Sequence, residues 1–170
     1  MKFMLGGDFT TIVEEIYKRC GLKVSNHVQD GEGREYEASS FQLNSLYVIA
    51  RKAKITPKKM GQFVTLWKRN SNGGTTPYEE SDKVDLFVIN VQDGLYTGQF
   101  IFPKDVLREK GIVSDSKKTG KRGFRVYPPW SQPTNKTALS TQEWQVKYFL
   151  ELGHPPKTDL HKAKILYLLQ

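Results

Sequence analysis

The feature that most limits what this chain can fold into is the stretch from Val84 to Phe102, VDLFVINVQDGLYTGQFIF. Val84 to Val91 is almost wholly apolar and β-branched or aromatic, the composition of a strand covered on both faces. Gln92-Asp93-Gly94 supplies turn residues, and Leu95 to Phe102 runs back as the second arm of a hairpin. A hairpin of this kind needs structure packed above and below it, so the remainder of the 170 residues must supply two covering layers.

The flanking segments offer them. A helix is expected from about Thr11 to Cys20, with Thr11 and Glu14 as a capping box, Ile12, Val13, Ile16 and Tyr17 as its apolar stripe, and Gly21 as its stop. Arg34 to Leu43 and Leu46 to Ala53 read as antiparallel strands joined by Asn44-Ser45. Thr56-Pro57 opens a short helical turn over Lys58 to Gly61, and Phe63 to Arg69 returns to a strand pattern. Asn70 to Asp82 is a loop. Pro103 opens a helix to about Lys110, and a basic loop, Ser114 to Gly123, leads to a strand from Phe124 to Tyr127. Ser140 and Glu143 cap a helix to about Leu152, with Trp144, Tyr148 and Leu152 on one face, and Gly153 stops it. A last short helix with Thr158 as cap is expected over residues 158–169. The order gives an α+β single domain, with a mixed, mostly antiparallel sheet flanked by helices.

Charge narrows the partner. Residues 51–69 carry seven bases (Arg51, Lys52, Lys54, Lys58, Lys59, Lys68 and Arg69) and no acid, and residues 104–125 carry eight bases against three acids. The two windows together hold +12, while the rest of the chain holds −4. A chain that is mildly acidic outside two basic segments is expected to have a basic face for a polyanion, nucleic acid above all. No run of about 18 apolar residues occurs, so no membrane span is expected. One cysteine, Cys20, excludes an internal disulfide framework, and with Met1 to Asp8 too short and glycine-rich for a secretory signal, a cytoplasmic location is expected. A monomer is the default.

Three stretches are distinctive: Arg51 to Arg69 (RKAKITPKKMGQFVTLWKR), Phe102-Pro103-Lys104, and Gly120 to Trp130 (GKRGFRVYPPW). In this order they resemble the MepB family of bacterial proteins, with the likeness running from about Glu35 to Phe149. The domain is therefore taken as residues 1–153, with 154–170 as a C-terminal extension. The resemblance implies the fold of the PD-(D/E)XK nuclease core, a mixed sheet flanked by helices, together with nucleic-acid binding and an active-site pattern that has decayed.

The residues can be tested against that chemistry. Such a nuclease sets an acid at the start of one hairpin strand and a (D/E)-x-K triplet on the next, so that carboxylates hold a divalent metal and a lysine assists. Asp85 stands where the first acid would be, on the face expected for Phe87 and Ile89. Gln99 stands in place of the second acid and Ile101 in place of the lysine. Glu35 and Glu37, expected on one face of a strand with Phe41, are a further acid pair. With a charge and the amine missing, no enzyme activity, metal or other cofactor is expected; Mg²⁺ or Mn²⁺ would enter only if these acids formed a rearranged nuclease site. His27, His154 and His161 have no metal-ligand spacing.

The binding candidates are cations interleaved with aromatics, which suits a single strand of DNA or RNA. They are Lys54, Lys58, Lys59, Trp67, Lys68, Arg69, Lys104, Lys117, Lys118, Lys121, Arg122, Arg125, Tyr127 and Trp130. Lys54, Lys58 and Lys59 surround an expected helix start, whose N–H groups would add phosphate donors. The eight cations Lys54, Lys58, Lys59, Lys117, Lys118, Lys121, Arg122 and Arg125 are expected to converge on one surface. The remaining alternative is a regulatory domain for an acidic protein partner.

Overall fold

The structure is a computed structural model and describes residues 8–153 and 158–168. The chain begins with α1 (Phe9–Ile12), which loosens into a π turn (Val13–Tyr17) and tightens into a 3₁₀ turn (Lys18–Cys20). The cap is Asp8, whose Oδ1 accepts from the Thr11 amide at 2.9 Å, so the expected capping box at Thr11 does not form. Gly21, at φ 73°, ends the segment as expected.

β1 (Val24–Gln29), β2 (Ser39–Leu43) and β3 (Leu46–Lys52) form an antiparallel meander. The strand expected from Arg34 begins only at Ser39, because Arg34–Tyr36 is a 3₁₀ turn and Glu37 takes φ 46°. Asn44, at φ 53°, makes the tight turn into β3. The connection continues through β4 (Lys54–Ile55), β5 (Gln62–Thr65), β6 (Lys68–Arg69) and β7 (Thr75–Thr76). No helix forms over Lys58 to Gly61: these residues join β4 to β5 as an antiparallel pair.

The hairpin follows as β8 (Leu86–Asp93) and β9 (Tyr96–Pro103), turning at Gly94-Leu95. Next come α2 (Lys104–Glu109), β10 (Gly123–Val126) and α3 (Lys136–Gln145), the last capped by Asn135 instead of Ser140. The helix expected to reach Leu152 passes through a 3₁₀ turn at Val146–Tyr148, and Phe149–Leu152 becomes β11 by pairing with β9. The final helix, α4 (Leu160–Leu168), has Asp159 at its start, accepting from the Lys162 amide at 3.1 Å. His154 lies outside the described residues.

The large sheet has the order β1-β2-β3-β8-β9-β11, and only β3 and β8 are parallel. A small antiparallel sheet, β10-β5-β4, lies over one face, with β6 and β7 as a separate ribbon. Strand alternation divides the core. Phe87, Ile89, Phe100 and Phe102 face the small sheet, where Val64, Leu66, Phe124 and Val126 meet them. Val88 and Ile101 face the other way, onto Ile16 and Tyr17 of the first helical segment and Leu166 and Tyr167 of α4. Each large apolar side chain so buried contributes roughly 1.5–3 kcal/mol. Tyr167 and Ala163 are fully buried, so the C-terminal segment is part of this core and not an appendage. Among the described residues no helix is long and apolar enough to cross a membrane.

Candidate functional site

The nuclease acids do not assemble. In the hairpin register Gln99 lies opposite Asn90, while Asp85 precedes the strand near Pro103, the partner of Leu86. Five residues of strand, about 16 Å, separate Asp85 from the Gln99 pair. The Asp85 carboxylate is already used: its Oδ2 accepts from the Tyr47 amide at 2.8 Å, so it anchors the start of β8 to β3. Ile101 is buried in the core. Glu35 and Glu37 lie on or beside a turn instead of alternating along a strand, and they diverge. Glu35 reaches Lys54 at 3.3 Å and Glu37 reaches Lys52 at 4.0 Å. Among the described residues no group of three or more His, Cys, Asp or Glu side chains is placed to hold a metal.

The first basic segment is largely neutralised. Besides the Lys52 and Lys54 pairs, Lys68 lies 2.6 Å from Asp82 and 3.9 Å from Glu79, and Arg69 lies 3.1 Å from Glu32. The Arg69 guanidinium also covers the Trp67 ring at 5.1 Å, so the two expected binding groups are engaged with each other. Arg51 is buried and donates to the Ala50 carbonyl at 2.9 Å. Lys58 and Lys59 remain exposed on the β4–β5 connection, with no acid partner among the described residues.

The second segment is more open. Lys104 donates to the Asp82 carbonyl at 2.8 Å, and Arg108 is ringed by Asp105, Glu80 and Glu109 within 4.0 Å. Lys117, Lys118, Lys121 and Arg122 are exposed and form no ion pair among the described residues. Their loop is ordered by its own hydrogen bonds. Asp115 Oδ1 accepts from the Lys117 and Lys118 amides at 2.9 and 2.8 Å, and Ser114 Oγ accepts from Gly120 at 2.7 Å. The Lys117 amide, with that of Lys118 and the nearby Arg108 and Lys117 charges, holds the Asp115 carboxyl below its usual range. Arg122 donates to the Thr75 carbonyl at 3.0 Å.

The two segments meet in the small sheet. Phe63 of β5 stands between Lys54 of β4 and Arg125 of β10 in register, so all three project from the outer face. Arg125 reaches back across the sheet to the Thr56 hydroxyl and to the Met60 carbonyl at 3.2 Å, beside the Lys58-Lys59 turn. Lys121 and Arg122 enter the opposite end of β10. Gly123 leaves the space that Phe63 occupies, since a Cβ there would come 2.6 Å from the ring. Tyr127 and Trp130 belong elsewhere. Tyr127 is buried against Gly61, and half-buried Trp130 stacks on Tyr96 at 5.2 Å and meets Phe149 edge-on at 5.7 Å.

On the opposite face of the large sheet is a cavity of about 690 Å³. Gln99 and Asn90 form its floor, Glu37 and Arg34 stand at its rim, and Phe9 and His27 stack at 3.9 Å along its wall. Small residues Ala38, Ser39 and Ala50 leave the room. Beneath it the Tyr167 hydroxyl donates to Gln99 Oε1 at 2.8 Å and lies 3.0 Å from the Tyr17 hydroxyl. Burial pushes Tyr17 up to about 12 and Tyr167 well above the ordinary tyrosine range, so both are neutral donors at physiological pH.

A model of the MepB-like family matches residues 30–151, which span β2 through β10, both basic segments and most of β11. The chain belongs to the MepB-like family. A solved crystal structure of MepB shares 41% identity, with a TM-score of 0.73 over 75% of this chain and 86% of that one. No curated protein matches.

Two residues of this MepB-like chain escape a reading of charge and motif. Phe63 looks like a core residue of its strand, and only the register with Lys54 and Arg125 places it outside. Asn90 carries a readable signal: it is the one polar residue between Leu86 and Val91, and a two-residue turn at Gly94-Leu95 puts it opposite Gln99.

Proposed function

We propose that this MepB-like protein binds nucleic acid, favouring single-stranded DNA or RNA, and does not hydrolyse it. The observation that carries the reading is the meeting of the two basic segments in one small sheet. There Lys58 and Lys59 lie beside Arg125, next to the outward ring of Phe63, and Lys121 and Arg122 lead into the other end of β10, with the Arg122 guanidinium turned to Thr75. Unpaired cations along a strip give sequence-independent affinity for phosphates, and an aromatic face between them suits an unstacked base. The separation of Asp85 from Gln99, and the use of Glu35 and Glu37 in lysine pairs, support binding without cleavage. The large sheet is part of this reading as a nuclease-like core, with Gln99 at a position where an acid would act. A cytoplasmic location and a monomeric state go with it.

The test is a panel of single-stranded DNA, RNA and duplex DNA at two salt concentrations, with and without Mg²⁺ or Mn²⁺. Salt-sensitive binding that is tighter for single strands, with all strands intact, is the expected result. Absence of binding at low salt overturns the proposal, and metal-dependent cleavage overturns its non-catalytic part.

A further inference from the structure

The cavity on the far side of the large sheet has a polarity built into its floor. Tyr167 has a single hydroxyl hydrogen, and Gln99 Oε1 takes it at 2.8 Å. Tyr17, 3.0 Å away, must therefore be the donor of their shared bond. Gln99 Nε2 in turn donates to Asn90 Oδ1 at 2.9 Å. Every donor in this chain points the same way. The amide hydrogens at its end, on Asn90 Nδ2, have no acceptor among the described residues, and Asn90 lines the cavity. Gln99 is fully buried, so the orientation of the Asn90 amide is held from behind.

The rest of the cavity offers the opposite chemistry. Glu37 brings a carboxylate to the rim, with Lys52 4.0 Å from one of its oxygens. Phe9, stacked on His27 at 3.9 Å and edge-on to Phe41 at 5.0 Å, makes a flat aromatic wall. Asp8, Asp30 and Glu37 outnumber the one cation of the lining, Arg34, which disfavours a phosphate. A flat heterocycle that accepts one hydrogen bond and donates to a carboxylate fits these groups. Among nucleobases guanine meets the description: its O6 accepts, and the adjacent N1–H and N2–H₂ donate together. Uracil would turn a carbonyl toward the carboxylate, and adenine and cytosine offer only an exocyclic amine beside a ring acceptor.

We propose that this cavity binds a guanine-type base, with Asn90 Nδ2 donating to O6 and the Glu37 carboxylate receiving the N1–H and N2–H₂ edge. The site lies across the large sheet from the basic strip and stands independently of nucleic-acid binding there. The experiment titrates the full chain with guanosine, inosine, adenosine and guanosine 5′-monophosphate, followed by nuclear magnetic resonance. Guanosine should bind saturably, and adenosine roughly tenfold or more weakly, the scale of one lost bidentate contact. Inosine, which lacks the N2 amine, should fall between them, and the monophosphate should bind more weakly than the nucleoside. Glu37→Gln, at an exposed position, should keep the fold and weaken guanosine by about tenfold. Lys121→Ala with Arg122→Ala should leave guanosine affinity unchanged, even if strand binding is lost. No saturable guanosine binding, equal affinity for adenosine, or an unaltered Glu37→Gln protein overturns the proposal.

Discussion

Lys68 and Lys121 each stand in a basic run of the sequence. In the fold Lys68 lies 2.6 Å from Asp82, whereas Lys121 is exposed with no acid beside it among the described residues. The difference extends to their segments. Acids from two remote turns, Glu32 to Glu37 and Glu79 to Asp82, return to Lys52, Lys54, Lys68 and Arg69. Only Asp115 interrupts the loop from Ser114 to Gly123, and its carboxylate is occupied by backbone amides. A count of charge along the chain locates bases but does not show which are available. Availability is decided by sheet order, because the turn before β2 falls beside the end of β3, where the bases begin.

The largest expected effect comes from destroying the open segment. A Cβ at Gly120 would come 2.2 Å from the Ile112 carbonyl oxygen, a backbone atom that already accepts from the Lys121 amide at 2.9 Å. Gly120→Val should therefore cost about 3 kcal/mol, the upper end for an overpacked site, measured by denaturant unfolding. Strand binding should fall with it. A stable Gly120→Val protein that still binds would break the link between the ordered loop and the open charges.

Next comes removal of the charges themselves. Lys121→Ala with Arg122→Ala should reduce the slope of log affinity against log salt by about one to two units, on every sequence alike. The melting temperature should fall only slightly, since neither side chain is ion-paired and the Arg122 hydrogen bonds to Thr75 that are lost are exposed to water. An unchanged slope would mean that the open segment contacts no phosphate.

The contrast explains what could be read from the sequence. The buried hairpin was legible because eight consecutive positions left no polar face to expose. Its register was not, because Gln92 and Asp93, expected in the turn, extend β8 and the chain turns at Gly94-Leu95, which leaves Asp85 at the far end of the strand from Gln99. The two-residue turn fixes Gln99 opposite Asn90. Val24–Gln29 gave no warning of β1, being a polar edge strand with a bulge where Asn26 takes φ 53°. Phe149–Leu152 looked helical through the spacing of Trp144, Tyr148 and Leu152, and pairing with β9 overrode that local pattern. Thr56-Pro57 likewise looked like a helix start, but β5 is held extended between β4 and β10. The acids that neutralise residues 51–69 were visible as residues and invisible as partners, since 14 to 37 positions separate Lys68 and Arg69 from the acids they bond.

The neutralised segment should respond in stability and not in binding. Lys68→Ala leaves Asp82 without its cation at a site where both side chains are about a quarter exposed. The expected cost is about 1–2 kcal/mol, with the salt slope unmoved. A fall in slope without loss of stability would show Lys68 to be a phosphate contact after all.

The smallest effect is the most discriminating. Lys54 projects from the outer face of the small sheet beside Phe63, yet its amine lies 3.3 Å from Glu35 and 5.0 Å from the centre of the Tyr36 ring. Both partners of the ion pair are well exposed, so Glu35→Gln should change stability by less than about 0.5 kcal/mol. It should also free a cation next to Arg125. If the strip is continuous from β4 to β10, the log–log salt slope should rise by about 0.7 for a single strand, one additional phosphate contact. Lys54→Gln in the same background should return the slope to its starting value. A Glu35→Gln protein with the original slope would mean that the Tyr36 ring alone keeps the Lys54 amine from a strand, and that the open surface begins at Arg125.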